Sequence, residues 1–289
     1  MPELRGVMFR TMRFAGVVVP LPLLAALLWP LALVRALVDA ALRPDRNPPT
    51  SLPPSVPRRR LSPVGVQART AAWLNTASLI WADRFTSRRW KGRIDVVALE
   101  AMRPLLREGP VIAVTVHFGG IFVLPTLLRA HGIPTASVVG QTLWPVRWWR
   151  RKRAELTRIG DAPLHLESGD VRGVMQFLVP GRCLVVAADY PFGDQAVTTF
   201  DSSPFRASTP PLKLARLTNA AVVPVLVHAD GVWRYSLHVG ERVPDELIRA
   251  GRMEEAVAHI ARELLPIAAV RPEQALPLLV KAFRPGPAG

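Results

Sequence analysis

Short apolar runs alternate with longer amphipathic segments from residue 111 onward, and this alternation constrains the fold more than any other feature of the chain. The runs have the length of strands, and the segments between them carry apolar residues at helical spacing. The predicted strands cover residues 111–116, 135–139, 163–166, 183–188, 222–227 and 234–239. The predicted helices cover residues 121–130, 146–159, 171–178, 212–218, 253–265 and 273–283. Such alternation predicts an α/β fold, a mostly parallel sheet with helices on both faces.

The N-terminal segment, residues 1–42, is apolar enough to associate with a membrane. Residues 14–34 form an uncharged run of 21 residues, with Arg5, Arg10 and Arg13 before it. That length suffices to cross a bilayer core of roughly 30 Å, although the prolines within the run would kink a straight helix. A spanning anchor and an interfacial segment are both compatible with this pattern. A cleaved signal peptide and a helix packed on the domain are less favoured alternatives.

A proline-rich stretch then separates this segment from the rest of the chain. Residues 43–63 are dense in proline and arginine and are predicted to be a linker. Residues 64–289 are predicted to form one α/β domain, which begins with a helix over residues 66–85. The length of that part is sufficient for a single large core.

The chain is strongly basic, with a formal net charge of +15 at pH 7. Basic runs at residues 58–60, 88–91 and 150–153 favour a polyanionic partner. Both anionic lipid and nucleic acid reward such charge. The apolar segment favours an anionic membrane surface, and no sequence motif for specific nucleic-acid binding accompanies the charge.

Several common chemistries lack the residues that they need. Cys183 is the only cysteine, so a thiolate zinc site is excluded, and its apolar neighbours predict a buried structural role. His117, His131 and His165 lack metal-ligand spacing, and we expect no metal. His228 and His238 lie in strand-like runs and are predicted to be structural or surface residues. There is neither a nucleophile elbow nor a phosphate-binding loop.

The strongest candidate for chemistry is His117, which follows the predicted buried strand 111–116 directly. Ligands of open α/β sheets bind outside the carboxyl ends of the strands. Gly119 and Gly120 come next and would allow a ligand to approach the backbone closely. A purely structural histidine is the alternative interpretation.

Four stretches in this part of the chain resemble a known family. Residues 117–122 read His-Phe-Gly-Gly-Ile-Phe, and residues 204–210 read Pro-Phe-Arg-Ala-Ser-Thr-Pro. Residues 214–225 read Leu-Ala-Arg-Leu-Thr-Asn-Ala-Ala-Val-Val-Pro-Val, and residues 271–274 read Arg-Pro-Glu-Gln. In this order they resemble the lysophospholipid acyltransferase superfamily, in the branch of late acyltransferases of lipid A biosynthesis. That branch carries His-x-x-x-x-Asp or Glu, whereas Phe122 stands at the acidic position here.

The resemblance implies transfer of a fatty acyl group from an acyl carrier protein or coenzyme A thioester. The acceptor would be a hydroxyl or amine of a lipid, glycolipid or lipid-like molecule at the cytoplasmic face of the inner membrane. His117 would be the general base, and the thioester would be a co-substrate, so no cofactor is expected. Arg151 and Arg153 would contact the carrier protein or lipid headgroups, although they are equally consistent with an exposed basic helix face.

Other residues are candidates for substrate contact. Phe205, Arg206 and Thr209 lie in the segment that resembles the family's substrate-binding loop, and the planar fork of Arg206 suits a phosphate. A solvated surface arginine is the alternative for Arg206. Trp144, Trp148 and Trp149, which lie beside Arg151 and Arg153 in the sequence, suit a membrane interface, or simply a core.

Because a phenyl ring cannot orient an imidazole, another acid has to take the place of the family's acid if His117 is a base. Asp189 follows the predicted strand 183–188 and is the first candidate, since neighbouring parallel strands bring their ends together. Asp194 is the second candidate, and a helix or turn cap is the alternative role for Asp189. If no acid substitutes, the chain would be a catalytically degenerate homologue that binds lipid or a partner protein.

Overall fold

The computed structural model describes residues 21–42, 70, 96–121, 123–139, 164–167, 169–191, 193–231, 233–275, 279 and 282–283. Within these residues a six-stranded sheet has the order β3-β2-β4-β1-β7-β8. Its strands are β1 Val111–Thr115, β2 Thr135–Val139, β3 Leu164–Glu167, β4 Cys183–Ala187, β7 Ala221–Gly231 and β8 Arg234–Val239. A separate hairpin consists of β5 Gln195–Phe200 and β6 Ser203–Ser208.

The first five strands of that order are parallel, and β8 is antiparallel to β7. The strand β1 lies at the centre of the sheet, with β4 on one side and β7 on the other. Every residue of β1 is buried, which explains its continuous apolar sequence. The predicted α/β class and mostly parallel sheet are therefore confirmed.

Helices cover both faces of this sheet. Ile112 and Val114 of β1 belong to one apolar cluster, and Val111 and Ala113 belong to another on the opposite face. The helices are α1 Leu21–Leu42, α2 Val96–Glu100, α3 Met102–Glu108, α4 Leu124–Ala130, α5 Val171–Phe177, α6 Pro210–Thr218, α7 Asp245–Arg249 and α8 Met253–Val270. Core residues of α5, α6 and α8 join the first cluster, and those of α2, α3 and α4 join the second. The two layers bury β1 completely.

Two predicted helices differ from the observed ones. The segment 121–130 becomes helical only at Leu124, and Pro125 stands in the first helical turn, where its missing N–H costs nothing. The predicted helix 273–283 was wrong at its start. Pro272–Gln274 is a 3-10 turn, and Ala275 forms an isolated antiparallel bridge with Phe118, so the backbone there is extended.

The β5–β6 hairpin was not predicted from the sequence. Asp201 and Ser202 form its two-residue turn, and both have positive φ, 47° and 61°. This geometry suits a type I′ turn, for which asparagine and glycine are the usual signals. An Asp-Ser pair is a much weaker signal, which is why the sequence does not predict this turn.

Some expectations fall outside the described residues. These are the linker 43–63, the helix 146–159, nearly all of the helix 66–85 and the first part of the apolar run 14–34. The described helix α1 contains Pro30. Among the helices that the structure describes, none combines the length and apolar character needed to cross a membrane.

The burial of Cys183 leads to a testable expectation. The side chain lies in β4 with no solvent exposure, and burial raises the pKa of its thiol to about 12. Because the thiolate is the reactive form, we expect the folded protein to react with an aromatic disulfide reagent at pH 8 at least about 10³-fold more slowly than the urea-unfolded chain. A time course of thiol release measures this, and complete labelling of the folded protein within minutes would contradict it.

Candidate functional site: a histidine and an aspartate at the ends of neighbouring strands

The candidate site lies where β1 and β4 end side by side. Thr115 pairs with Ala187, and these are the last residues of the two strands. His117 and Asp189 each follow two residues later, at the carboxyl edge of the sheet. Parallel pairing in this register therefore brings together two side chains that lie 72 positions apart in the sequence.

Asp189 holds His117 through both of its carboxylate oxygens. Oδ1 lies 2.8 Å from the ring Nδ1 of His117, and Oδ2 accepts the backbone N–H of the same residue at 2.8 Å. Both residues are nearly buried, with 5% exposure for His117 and 4% for Asp189. Since an ionised carboxylate only accepts hydrogen bonds, Nδ1 carries the proton and the lone pair of a neutral ring is on Nε2. This is the tautomer that a general base requires.

The other two positions considered for an acidic partner do not supply one in the described structure. Phe122 lies outside the described residues. Asp194 has an exposed side chain that binds Lys213, and the hydrogen bond and charge of that lysine lower the pKa of the Asp194 carboxyl. The acid beside His117 therefore comes from the end of the neighbouring strand.

Gly119 and Gly120 are packed against β7 and β8. A side chain on Gly119 would come within 2.4 Å of the Val227 carbonyl oxygen, and one on Gly120 within 2.7 Å of the Tyr235 ring. Their N–H groups are also used, since Gly119 donates to the Gln274 carbonyl and Gly120 to the Val227 carbonyl, each at 3.0 Å. In the structure, these glycines permit the close approach of β7 and β8. A contact with substrate at these residues stays a prediction.

The β5–β6 hairpin connects the predicted substrate loop to the site. The N–H of Ser208 donates to the carbonyl of Ala188, the residue before Asp189, at 2.7 Å. Phe205 is fully buried and packs against Phe283, with 5.3 Å between ring centroids, so its side chain belongs to the core. Thr209 is also buried, and its hydroxyl donates to the Asp194 carbonyl at 3.1 Å.

Arg206 has a different environment from its neighbours. It is partly buried, and within the part of the chain that the structure describes its buried Nε has no hydrogen-bond partner. Arg151 and Arg153 lie outside the described residues, as do Trp144, Trp148 and Trp149. Arg206 is thus the one predicted anion-binding residue that can be placed.

A polar cluster to which the sequence assigns no role lies beyond the turn that follows His117. Arg271 donates to Asp230 at 2.9 Å, and Gln274 binds the backbone of Ala229. His228 lies 3.2 Å from Asp230, and burial lowers the pKa of His228 and of His238. Across the described ranges, no group of three or more His, Cys, Asp or Glu side chains could hold a metal ion. The Arg-Pro-Glu-Gln resemblance was the only sequence signal for Gln274.

The sequence comparisons identify no family for this chain. No protein-family model matches the chain, and no curated protein matches it significantly. The residues of the site are therefore the basis for assigning a function to this chain.

The packing of Gly119 predicts a specific stability difference. Gly119 and Gly132 both have positive φ, 47° and 80°, but nothing lies within 4 Å of a side chain added at Gly132. We expect Gly132→Ala to lose about 1–2 kcal/mol of unfolding free energy from backbone strain alone. Gly119→Ala should lose at least about 3 kcal/mol, because overpacking adds to that strain. Urea unfolding measures both variants, and equal losses would contradict the packing role.

Proposed function

We propose that the protein is an acyltransferase that moves a fatty acyl group from an acyl carrier protein or coenzyme A thioester to a hydroxyl or amine. The acceptor is a lipid, a glycolipid or a lipid-like molecule at the cytoplasmic face of the inner membrane. The observation that carries this proposal is the hydrogen bond between His117 and Asp189 at the carboxyl edge of the sheet. The resemblance of residues 117–121 and 204–225 to the lipid A acyltransferases supplies the reaction type.

In this reaction Nε2 of His117 removes the proton of the acceptor hydroxyl as its oxygen attacks the thioester carbonyl carbon. The tetrahedral intermediate then breaks its carbon–sulfur bond, and the departing thiolate takes the proton from the imidazolium. The products are an ester and a free thiol. Asp189 keeps the ring in the required tautomer and balances its transient charge, and such general-base assistance contributes roughly 10²–10⁴-fold in rate.

Stabilisation of the developing oxyanion has to come from outside the turn after His117. The N–H groups of His117, Phe118, Gly119 and Gly120 all donate to protein oxygens. Arg206 is the residue that we assign to an anionic group of the acceptor or the intermediate. Its Nε lacks a partner among the described residues, and its strand is bonded to the site through Ser208.

The exposed face of α1 supports a membrane surface as the partner. Leu23, Leu27, Leu31, Val34 and Val38 are exposed and recur every three or four residues, so they share one side of the helix. On the other side Ala32 is buried and Leu28 packs against the apolar cluster beneath. A helix that packs one face on the domain and leaves an apolar face outside suits insertion parallel to a membrane, and the net charge of +15 suits anionic lipid.

The burial of His117 favours a second candidate function. His117 is only 5% exposed, as a residue with a purely structural role would be. In this second function it holds two strand ends together in a protein that binds lipid or a partner enzyme. This is the catalytically degenerate alternative, and it predicts binding that is independent of the imidazole.

The first test offers the purified protein acyl carrier protein and coenzyme A thioesters with a panel of hydroxyl and amine acceptors. We expect transfer that His117→Ala abolishes and that Asp189→Asn lowers by about 10⁴-fold, because an amide would hold the ring in the wrong tautomer. Asp194→Asn is the matched control and should leave the rate unchanged, since its carboxylate is exposed and binds Lys213.

Each other outcome has a defined meaning. If Asp189→Asn kept full turnover while His117→Ala abolished it, Asp189 would not be the partner of the base. Lipid binding without transfer, unchanged by His117→Ala, would replace the acyltransferase with the binding protein. The unfolding free energy of each variant shows whether a lost rate reflects lost folding.

The membrane proposal is tested by charge on the exposed face of α1. Leu27 and Leu31 are 60% and 69% exposed, so the double change to glutamate should fold normally. We expect at least about a 10-fold weaker partition to phosphatidylglycerol-containing vesicles in a sedimentation assay, since burial of each leucine contributes roughly 1.5–3 kcal/mol. The control makes the same charge change at exposed Leu217 and Val270. Equal loss in both proteins would indicate a simple charge effect and contradict insertion of α1.

A further inference from the structure

The backbone that carries His117 leaves the sheet immediately after β1 and is held on two sides. On the β4 side, Asp189 accepts the His117 N–H. On the β7 side, the carbonyl of Gln274 accepts the Gly119 N–H at 3.0 Å, and Phe118 forms its bridge with Ala275. The position of His117 therefore depends on the segment around Gln274 as well as on Asp189.

The segment around Gln274 lies along the part of the β7 edge that β1 does not cover. The pairing of β1 with β7 ends at Val114 and Pro224, whereas β7 continues to Gly231. Ala229 lies five residues beyond that last pair, so β1 does not reach its backbone polar groups. A strand that extends beyond its neighbour needs other hydrogen-bond partners for the N–H and C=O groups on that edge, because unpaired buried backbone groups cost free energy.

The side chain of Gln274 provides both partners. Its Oε1 accepts the Ala229 N–H at 2.8 Å, and its Nε2 donates to the Ala229 carbonyl at 2.8 Å. The carboxamide thus reproduces the pair of bonds that a neighbouring strand would make. Only 9% of Gln274 is exposed, and Arg271 reinforces the contact by donating to the same carbonyl at 3.0 Å.

We propose that Gln274 is a positioning residue of the His117 site. Its side chain fixes the 3-10 turn Pro272–Gln274 against Ala229 of β7, and its own carbonyl then fixes Gly119 in the turn that presents the His117 ring to Asp189. The consequence for catalysis depends on the proposed acyltransferase function, whereas the effect on the geometry of His117 does not.

The test observes the His117–Asp189 hydrogen bond directly. The chain is labelled with ¹⁵N-histidine, and the ring Nδ1–H resonance of His117 is assigned by its loss in His117→Ala. In Gln274→Ala we expect that proton to exchange with water at least tenfold faster than in the unmodified protein. If acyl transfer is found, kcat should also fall at least tenfold while KM stays within twofold.

The matched control removes a buried hydrogen bond away from the site. Thr135 is fully buried in β2, and its hydroxyl donates to the Ile133 carbonyl at 2.8 Å. Thr135→Val should lower the urea midpoint while leaving the His117 proton exchange unchanged. Gln274→Glu replaces the alanine variant in this test if Gln274→Ala does not fold. At pH 7.5 its carboxylate can accept the Ala229 N–H but can no longer donate to the Ala229 carbonyl.

Two results would overturn the proposal. One is an unchanged exchange rate in both Gln274 variants, or in the glutamate variant alone if the alanine variant does not fold. The other is equally faster exchange in Thr135→Val, which would assign the effect to general loss of stability. Absence of acyl transfer in the unmodified protein would count against the proposed function alone, since the exchange measurement needs no substrate.

Discussion

The pairing of β1 with β4 is the constraint on which the site depends. Each residue of β1 has a parallel partner in β4, and this register places the two residues after each strand opposite one another. A shift of the register by one residue would carry Asp189 past His117 and would also exchange the two buried faces of the strand. Because β1 is buried on both faces, such a shift would bring side chains of different size into both packed layers, and a close-packed core does not accommodate them without loss of stability. The packing of the core thus fixes the distance between the imidazole and the carboxylate.

The side chain of Asp189 has no solvent exposure, so its carboxylate oxygens require partners within the protein, and His117 supplies both of them. One bond reaches the ring and the other reaches the backbone of the same residue. The ring and the main chain of His117 are therefore fixed by a single side chain. The same arrangement suits a residue that only holds two strand ends together and a preorganised general base. An acyl-transfer assay with thioester donors is therefore needed to distinguish the two roles.

The turn that follows His117 is closed by the protein itself. Gly119 and Gly120 allow β7 and β8 to pack against the turn, and their N–H groups bond to protein carbonyls. A loop of this kind cannot bind an oxyanion through its backbone without breaking those bonds. Binding of an anionic group would consequently fall to side chains such as Arg206 of the hairpin, whose strand is bonded to the backbone before Asp189.

The sequence by itself determined the α/β class, the buried strand 111–116 and the placement of His117 at its end. These features follow from local periodicity, because a strand buried on both faces has to be apolar throughout. Asp189 could be suggested from its position after a strand, but the order of strands in a sheet is not encoded locally. Only the tertiary structure placed β4 beside β1, gave Gly119 and Gly120 their packing role and brought Gln274 to the open edge of β7. Those contacts join residues that are distant in sequence, and their geometry exists only after the sheet has formed around β1.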